Sequence, residues 1–191
     1  MIVDEIQTGY GRTGKFWAYE WEGIRPDIIA AGKSMTGGFL PASAAICDAH
    51  IMDLIKPGDH GSTYGGNPVA MAVAHAALKT LIEEGMIENA EAMGKLLIEG
   101  VKSIGSPLFK EVRGRGLFVG IEIRSDSNVD GKDFAKKMFA NGLITKATHD
   151  TTVRLTPALV INKSEVEQAL EIIAKSTKDL EKYNIEKSNK K

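Results

Sequence analysis

The sequence predicts an α/β domain followed by a smaller α+β one. Two short β-branched runs, "MIVDEI" and "DIIAA", each lead into a loop containing glycine, as strands of an α/β sheet do. An alanine-rich segment from Asn67 to Gly85 carries helix signals at both ends. Beyond Gly105 the apolar residues alternate between short helical stretches, which is α+β texture. The change of domain is placed near residue 85, giving residues 1–85 to the end of a larger domain and 86–178 to the small one.

The elements run in order along the chain. "MIVDEI" and "DIIAA" are the first strands, and "SAAIC" is a weaker third. "NPVAMAVAHAALKTLIEEG" has an N-cap Asn67, a proline at the first helical position and a closing Gly85; apolar on most sides, it is expected to be buried. "MIENAEAMGKLLIEGVKSIG" is an amphipathic helix with Met86, Ala90, Met93 and Leu97 on one stripe. "VRGRGLFVGIEI" reads as a single strand, "GKDFAKKMFANG" as a short helix ending at Gly142, and "LITKAT" and "TVRLTP" as further strands. The last helix, "NKSEVEQALEIIAKSTKDLEKY", carries a Ser164–Glu167 capping box and buries Val166, Leu170, Ile173 and Leu180. Residues 179–191, ending in "NIEKSNKK", are expected to be a disordered tail.

Composition narrows the function classes. A chain of 191 residues that is 43% hydrophobic and 26% charged has soluble globular composition. With 24 Lys and Arg against 25 Asp and Glu, the net charge of -1 gives no electrostatic case for nucleic acid or a membrane surface. Cys47, the one cysteine, excludes an internal disulfide and any multi-cysteine metal site, and no metal is expected. It fits a reducing compartment without proving one. The compartment is not given by this chain: the cytoplasm is favoured, and the mitochondrial matrix stays open because a targeting segment would precede Met1. No apolar run approaches the roughly 20 residues of a membrane helix. The opening "MIVDEI" reads as a core strand already under way, with its partners on at least one side expected upstream, so the chain is expected to be part of a longer protein.

Two nucleotide motifs fail on context. "GYGRTG" places Gly9, Gly11 and Gly14 in the G-x-G-x-x-G spacing after a strand. The next stretch, "KFWAYEWEG", is too short and too aromatic for the packing helix, and "DIIAA" ends in Gly-Lys instead of the acidic residue that would hold a ribose. "GKS" at Gly32–Ser34 would close a phosphate loop, but the position of that loop's first glycine holds Asp27.

A different constellation survives. Lys33 follows the apolar run "DIIAA" and precedes "MTGG". Burial at the end of a strand disfavours an ammonium, and an amine made neutral is a nucleophile that forms a Schiff base with an aldehyde. A lysine alone would as readily snorkel to solvent. Asp4 sits inside an apolar strand, as conspicuous as the lysine. A carboxylate so placed is either a satisfied acceptor or the partner of a protonated pyridine nitrogen. "HGSTYGGNP" leads small polar residues into a helix N-cap, where backbone N–H groups and the hydroxyls of Ser62 and Thr63 would suit a phosphate as well as a capping loop.

Together, "DEIQTGYGRTGKFWAYE", "RPDIIAAGKSMTGG" and "HGSTYGGNP" resemble the class-III pyridoxal-phosphate-dependent aminotransferases of fold type I, in the family's order and spacing, over roughly Met1 to Thr177. The resemblance implies a partial large domain with a mixed sheet and helices, then a small α+β domain. Lys33 would hold pyridoxal 5'-phosphate through a Schiff base and shuttle the substrate proton. Asp4 would pair with the pyridine nitrogen, and Gln7 would bond the ring's phenolic oxygen. Ser62 and Thr63 would reach the phosphate of a neighbouring subunit's cofactor in a homodimer, and Arg154, in "TVRLTP", would bind a substrate carboxylate. The substrates implied are an amino acid and a 2-oxo acid. "IKPGDHGSTYGG", "ENAEAMG" and "KATHDTTVRLTPALVI" resemble most the branch acting on the δ-amino group of ornithine. Branches acting on N-acetylornithine or 4-aminobutyrate, and a non-catalytic interaction module, stay open. The family's phosphate-gripping glycine loop, the aromatic stacked on the ring and the acidic partner of the arginine belong to an upstream half with no counterpart in these residues.

Overall fold

The computed structural model describes residues 1–188. The chain divides into two compact units, Met1–Glu88 and Asn89–Lys191.

In the first unit, β1 (Ile2–Asp4), β2 (Ile28–Ala31) and β3 (Ala44–Cys47) form one sheet in that order. β1 and β2 run parallel, with Val3 opposite Ile29 and Asp4 opposite Ala30, and β3 returns antiparallel with Ala44 opposite Ala31. Cys47, at its end, is free and half-buried. The β1–β2 connection contains no packing helix, only a 3₁₀ turn, Ala18–Glu22. Its body is an aromatic knot of Tyr10, Phe16 and Trp17, with ring centroids 5.0–5.8 Å apart. Gly9 is required by close approach: a Cβ there would lie 2.6 Å from the Trp17 ring and 2.9 Å from the Glu5 carbonyl. The glycines of "GYGRTG" thus serve a knot and not a nucleotide turn.

Glu5 holds this knot. It is 2% exposed, and its carboxylate accepts hydrogen bonds from the Thr8 hydroxyl at 2.5 Å and the Tyr19 amide at 2.9 Å. A buried carboxylate stays only where donors replace its water. Glu5→Ala leaves those donors unpaired in the interior, so it is expected to lower stability by about 2–3 kcal/mol. Urea unfolding followed by Trp17 and Trp21 fluorescence measures this directly.

α1 (Ala49–Met52) is a single turn, and α2 (Pro68–Glu83) begins where the sequence predicts: the Asn67 side chain accepts from the Ala70 amide at 2.9 Å, and Pro68 occupies the first helical position. Its expected burial is not observed. Only Ala70, Ala74 and Leu81 are buried, while Val69 is 63% and Ile82 62% exposed. The three buried residues form one narrow stripe. α2 packs against the turn that carries Lys33, where a Cβ on Gly37 would stand 3.4 Å from that of Ala77.

In the second unit, β4 (Phe109–Arg115), β5 (Phe118–Ile123), β7 (Thr152–Leu155) and β6 (Lys146–Thr148) make an antiparallel sheet in that order. α3 (Met86–Ser103, in this unit from Asn89), α4 (Gly131–Ala140) and α5 (Lys163–Ser188) accompany it. The core joins Val119, Ile121 and Ile123 of β5 to Val153 of β7, Phe134 of α4 and Ile173 of α5. Alternation therefore leaves Gly120, Glu122, Thr152 and Arg154 on the opposite side of the sheet.

Three sequence expectations are corrected here. "VRGRGLFVGIEI" is a hairpin and not one strand: Arg115 pairs with Phe118 across Gly116–Leu117, and Gly116 has φ +52, as tight turns matched to strand twist require. The α5 cap lies two residues before Ser164. Asn162 Oδ1 accepts from the Glu165 amide at 3.0 Å and Glu165 Oε2 from the Asn162 amide at 2.9 Å, whereas Ser164 donates to Asn162 and Glu167 faces Lys163 at 3.6 Å. The helix also runs through residues 179–188 instead of fraying, because Leu180 is buried and Asn184 accepts from the Asn128 amide at 2.8 Å. Residues 189–191 of the expected tail lie outside the described residues. Among the described residues no helix is long and apolar enough to cross a membrane, and no cluster of His, Cys, Asp and Glu has the make-up of a metal site.

Candidate functional site

Parallel strands open their C-terminal ends at the same edge of a sheet, the place where α/β folds bind ligands. β1 ends there with Asp4, and β2 continues through Gly32 to Lys33. The ends stay together: the Glu5 amide donates to the Ala30 carbonyl at 2.8 Å, and a Cβ on Gly32 would lie 3.7 Å from Cγ2 of Ile6. Asp4 is exposed at the strand's end and not enclosed within it. Its Oδ1 accepts from the Ile6 amide at 2.9 Å, leaving Oδ2 without a partner among the described residues. Gln7 comes next, half-buried, in the turn after β1.

Lys33 also departs from expectation. It opens a 3₁₀ turn, Lys33–Thr36, and is exposed, so its reactivity in this chain does not come from burial. Its φ is +44, a left-handed conformation costing a non-glycine residue about 1–2 kcal/mol. The turn is locked by Thr36, which is 0% exposed: its hydroxyl donates to the Leu40 carbonyl and accepts from the Leu40 amide at 3.3 Å. No ion pair or hydrogen bond reaches the Lys33 ammonium among the described residues.

Ser62 and Thr63 lie on the exposed loop before α2. Ser62 Oγ accepts from the Gly65 amide at 3.0 Å, keeping its own hydroxyl proton to donate. Asn67 ties the loop to the helix by donating from Nδ2 to the Tyr64 carbonyl at 2.8 Å.

Arg154 belongs to the second unit. Half-buried in β7, it lines a groove of about 680 Å³ together with Lys146, Thr156, Pro157 and Glu165. Its Nε is buried with no hydrogen-bond partner, and its carbonyl accepts from the Thr145 hydroxyl at 2.7 Å. Arg113 on the same side of the sheet is different, bonded to Glu122 at 2.6 Å and Glu111 at 2.8 Å. Hydrogen bonds from Lys110 and Arg113 hold the Glu122 carboxyl below its ordinary pKa.

Asp4, Gln7 and Lys33 therefore share one sheet edge, Ser62 and Thr63 share a loop of the same unit, and Arg154 lines a groove in the other. Sequence reasoning missed Glu5 and Thr36. Glu5 was legible in principle, since adjacent carboxylates in an alternating strand point to opposite sides and only one can meet solvent. Thr36 carries no local signal, because a tertiary turn gives it its position.

The family described as Aminotransferase class-III matches residues 1–176. A protein named probable ornithine aminotransferase, mitochondrial, from Caenorhabditis elegans is 47% identical over 183 residues, 96% of this chain and 43% of that protein. The ornithine aminotransferase of Staphylococcus carnosus is 45% identical over 91% of this chain and 43% of its own. Among solved structures, the ornithine aminotransferase from Toxoplasma gondii superposes with a TM-score of 0.91 at 41% identity, covering 95% of this chain and 44% of that one. The acetylornithine aminotransferase from Elizabethkingia anophelis gives 0.87, also at 41% identity, over 93% and 47%. The chain thus spans less than half the length of these relatives. A match over residues 1–176, carried on a sheet edge that unites Asp4 and Lys33, shows that the chain belongs to the class-III aminotransferase family.

Proposed function

We propose that this protein serves the transfer of the δ-amino group of ornithine to 2-oxoglutarate, giving glutamate 5-semialdehyde and glutamate, with pyridoxal 5'-phosphate as cofactor and a homodimer as the working assembly. The observation that carries this reading is the emergence of an amine and a carboxylate, Lys33 and Asp4, at one end of two adjacent parallel strands. Relatives named ornithine aminotransferase, 43–47% identical, support the choice of donor.

The donor set fits the cofactor: a reachable primary amine, a carboxylate with one oxygen unengaged, and a side-chain amide in the turn after β1. When bound, pyridoxal phosphate supplies an aldehyde that condenses with amines and a pyridinium ring that accepts electrons. Lys33 Nζ would hold that aldehyde and, once displaced by substrate, take and return the proton at the amine-bearing carbon. Asp4 Oδ2 would accept from the protonated ring nitrogen and keep it charged, and the Gln7 amide would donate to the phenolic oxygen. The Ser62 and Thr63 hydroxyls would donate to the phosphate held by the partner subunit. Arg154 would take a substrate carboxylate through its planar fork of N–H donors.

Incubation with pyridoxal phosphate, 2-oxoglutarate and each of ornithine, N-acetylornithine and 4-aminobutyrate tests the substrate. Glutamate is expected to form fastest with ornithine. Faster turnover of N-acetylornithine would move the assignment to the branch represented by the Elizabethkingia enzyme.

A further inference from the structure

Between β2 and β3 the chain makes a loop that closes on itself. Ala31 pairs with Ala44 across the ladder, and a Cβ on Gly32 would lie 3.5 Å from both the Ala42 carbonyl oxygen and the Ser43 Cβ. Lys33 follows at once, with φ +44. Glycine takes that conformation freely, whereas a residue with a side chain is disfavoured there roughly tenfold. A 3₁₀ turn ordinarily has φ between about −50° and −70°, so the turn that Lys33 opens does not itself call for a positive value. Strain of this kind persists only where the surroundings over-determine it. The buried residue of the turn is Thr36, 0% exposed. Its hydroxyl donates to the Leu40 carbonyl and accepts from the Leu40 amide at 3.3 Å, so one side chain engages both backbone groups of a residue on the returning limb. The Phe39 amide donates back to the Thr36 carbonyl at 3.2 Å. These bonds lie wholly within residues 36–40, and loss of the hydroxyl would leave both Leu40 groups to find other partners.

We propose that Thr36 is a positioning residue for Lys33: its buried hydroxyl pins the returning limb of the loop, keeps Lys33 left-handed, and so fixes the direction in which the amine leaves the sheet edge it shares with Asp4. The inference rests on the assignment of Lys33 as the residue that holds the cofactor. Relaxation of Lys33 to a right-handed φ of about −63° would turn its Cα–Cβ bond by about 100° around the N–Cα axis and swing the flexible stem with it. An amine must approach an aldehyde in a defined geometry, so a stem that starts in the wrong direction reacts less often. Glycine at position 33 would need no lock and would carry no amine. Lysine there brings the chemistry, and Thr36 holds it in a conformation that its own side chain opposes.

The test uses the full 191-residue chain with pyridoxal phosphate and borohydride, and compares the initial labelling rate of Lys33 with that of the exposed Lys95. Thr36→Val, which keeps the shape and removes the hydroxyl, is expected to lower the Lys33-to-Lys95 ratio about tenfold, the population lost when the strain is released. Thr36→Ser keeps the hydroxyl and should stay within about twofold of the unsubstituted chain. Glu5→Ala weakens the same unit without touching the turn, so it should leave the ratio unchanged. NMR adds a readout that needs no cofactor. A positive φ brings the amide proton and Hα of one residue close together, so the strong cross-peak between them at Lys33 should disappear in Thr36→Val and remain in Thr36→Ser. Thr36→Val that keeps either the ratio or the cross-peak, Thr36→Ser that behaves as Thr36→Val, or a ratio that falls equally in Glu5→Ala overturns the role of Thr36 and leaves that of Lys33 standing. Equal labelling of Lys33 and Lys95 in the unsubstituted chain overturns the Lys33 assignment and this inference with it.

Discussion

Lys33→Ala is expected, on the function proposed above, to reduce amino transfer by at least about 10⁴-fold while leaving the fold intact, because it would remove both the attachment of the cofactor and the base that moves the substrate proton. The loss of activity and the stability of the fold separate cleanly at this position. Lys33 is exposed, and its φ of +44 already opposes a side chain, so Lys33→Gly should hold or slightly raise the melting temperature while abolishing activity equally. Borohydride reduction in the presence of pyridoxal phosphate, then peptide mass mapping, should place the label on Lys33. The corresponding peptide of the substituted protein should carry none. Labelling spread evenly over surface lysines, or transfer activity surviving the substitution, would remove Lys33 from the mechanism. A lysine placed only for solubility would give neither result.

Gly94→Ala is expected to have the largest effect on stability. A Cβ at Gly94 would fall 2.1 Å from the carbonyl carbon and oxygen of Gly116, so α3 packs on the β4–β5 turn with backbone against backbone. No side chain is there to rotate away, and the helix must lift from the hairpin. That displacement costs about 3 kcal/mol, the upper end for overpacking, and lowers the melting temperature of a unit of this size by roughly 10–20 °C. Gly100 is the control on the same helix. Its Cβ would meet Leu170 Cδ1 at 2.3 Å, the far end of a side chain that can change rotamer, so Gly100→Ala should cost about 1 kcal/mol. Equal losses at the two positions would mean that the α3–hairpin contact is softer than described.

The legible and the hidden features of the sequence divide by the range of the interaction. The start of α2 was legible because Asn67 and Pro68 act within one turn of the helix they begin. The family motifs were legible because Asp4, Lys33 and Ser62 sit in contiguous stretches of distinctive residues. The hairpin at Gly116 was hidden, since alternation continues across it and only a positive φ and the fit of Gly94 betray the turn. The α5 cap was misplaced by two residues because Asn162 and Ser164 are both good caps and the choice depends on where the preceding chain arrives. Burial was the hardest to read. α2 looks apolar enough to be enclosed yet exposes Val69 and Ile82, and Lys33 looks enclosed yet is open, because burial depends on neighbours that sequence texture does not name.

The adjacent carboxylates at the end of β1, Asp4 and Glu5, would also make two kinds of failure distinguishable in a living cell. Asp4 is exposed with an unengaged oxygen, so on the proposed function a variant there is expected to accumulate to normal levels and to lose specific activity. Glu5 is buried and bonded to the Tyr19 amide, so a variant there is expected to join the pool of unfolded chains that proteases clear, with the surviving molecules scarce but unchanged in activity. On the proposed function two adjacent codons would report separately on the chemistry and on the supply of the protein, and comparing immunoblot intensity with activity per molecule would tell which one has changed.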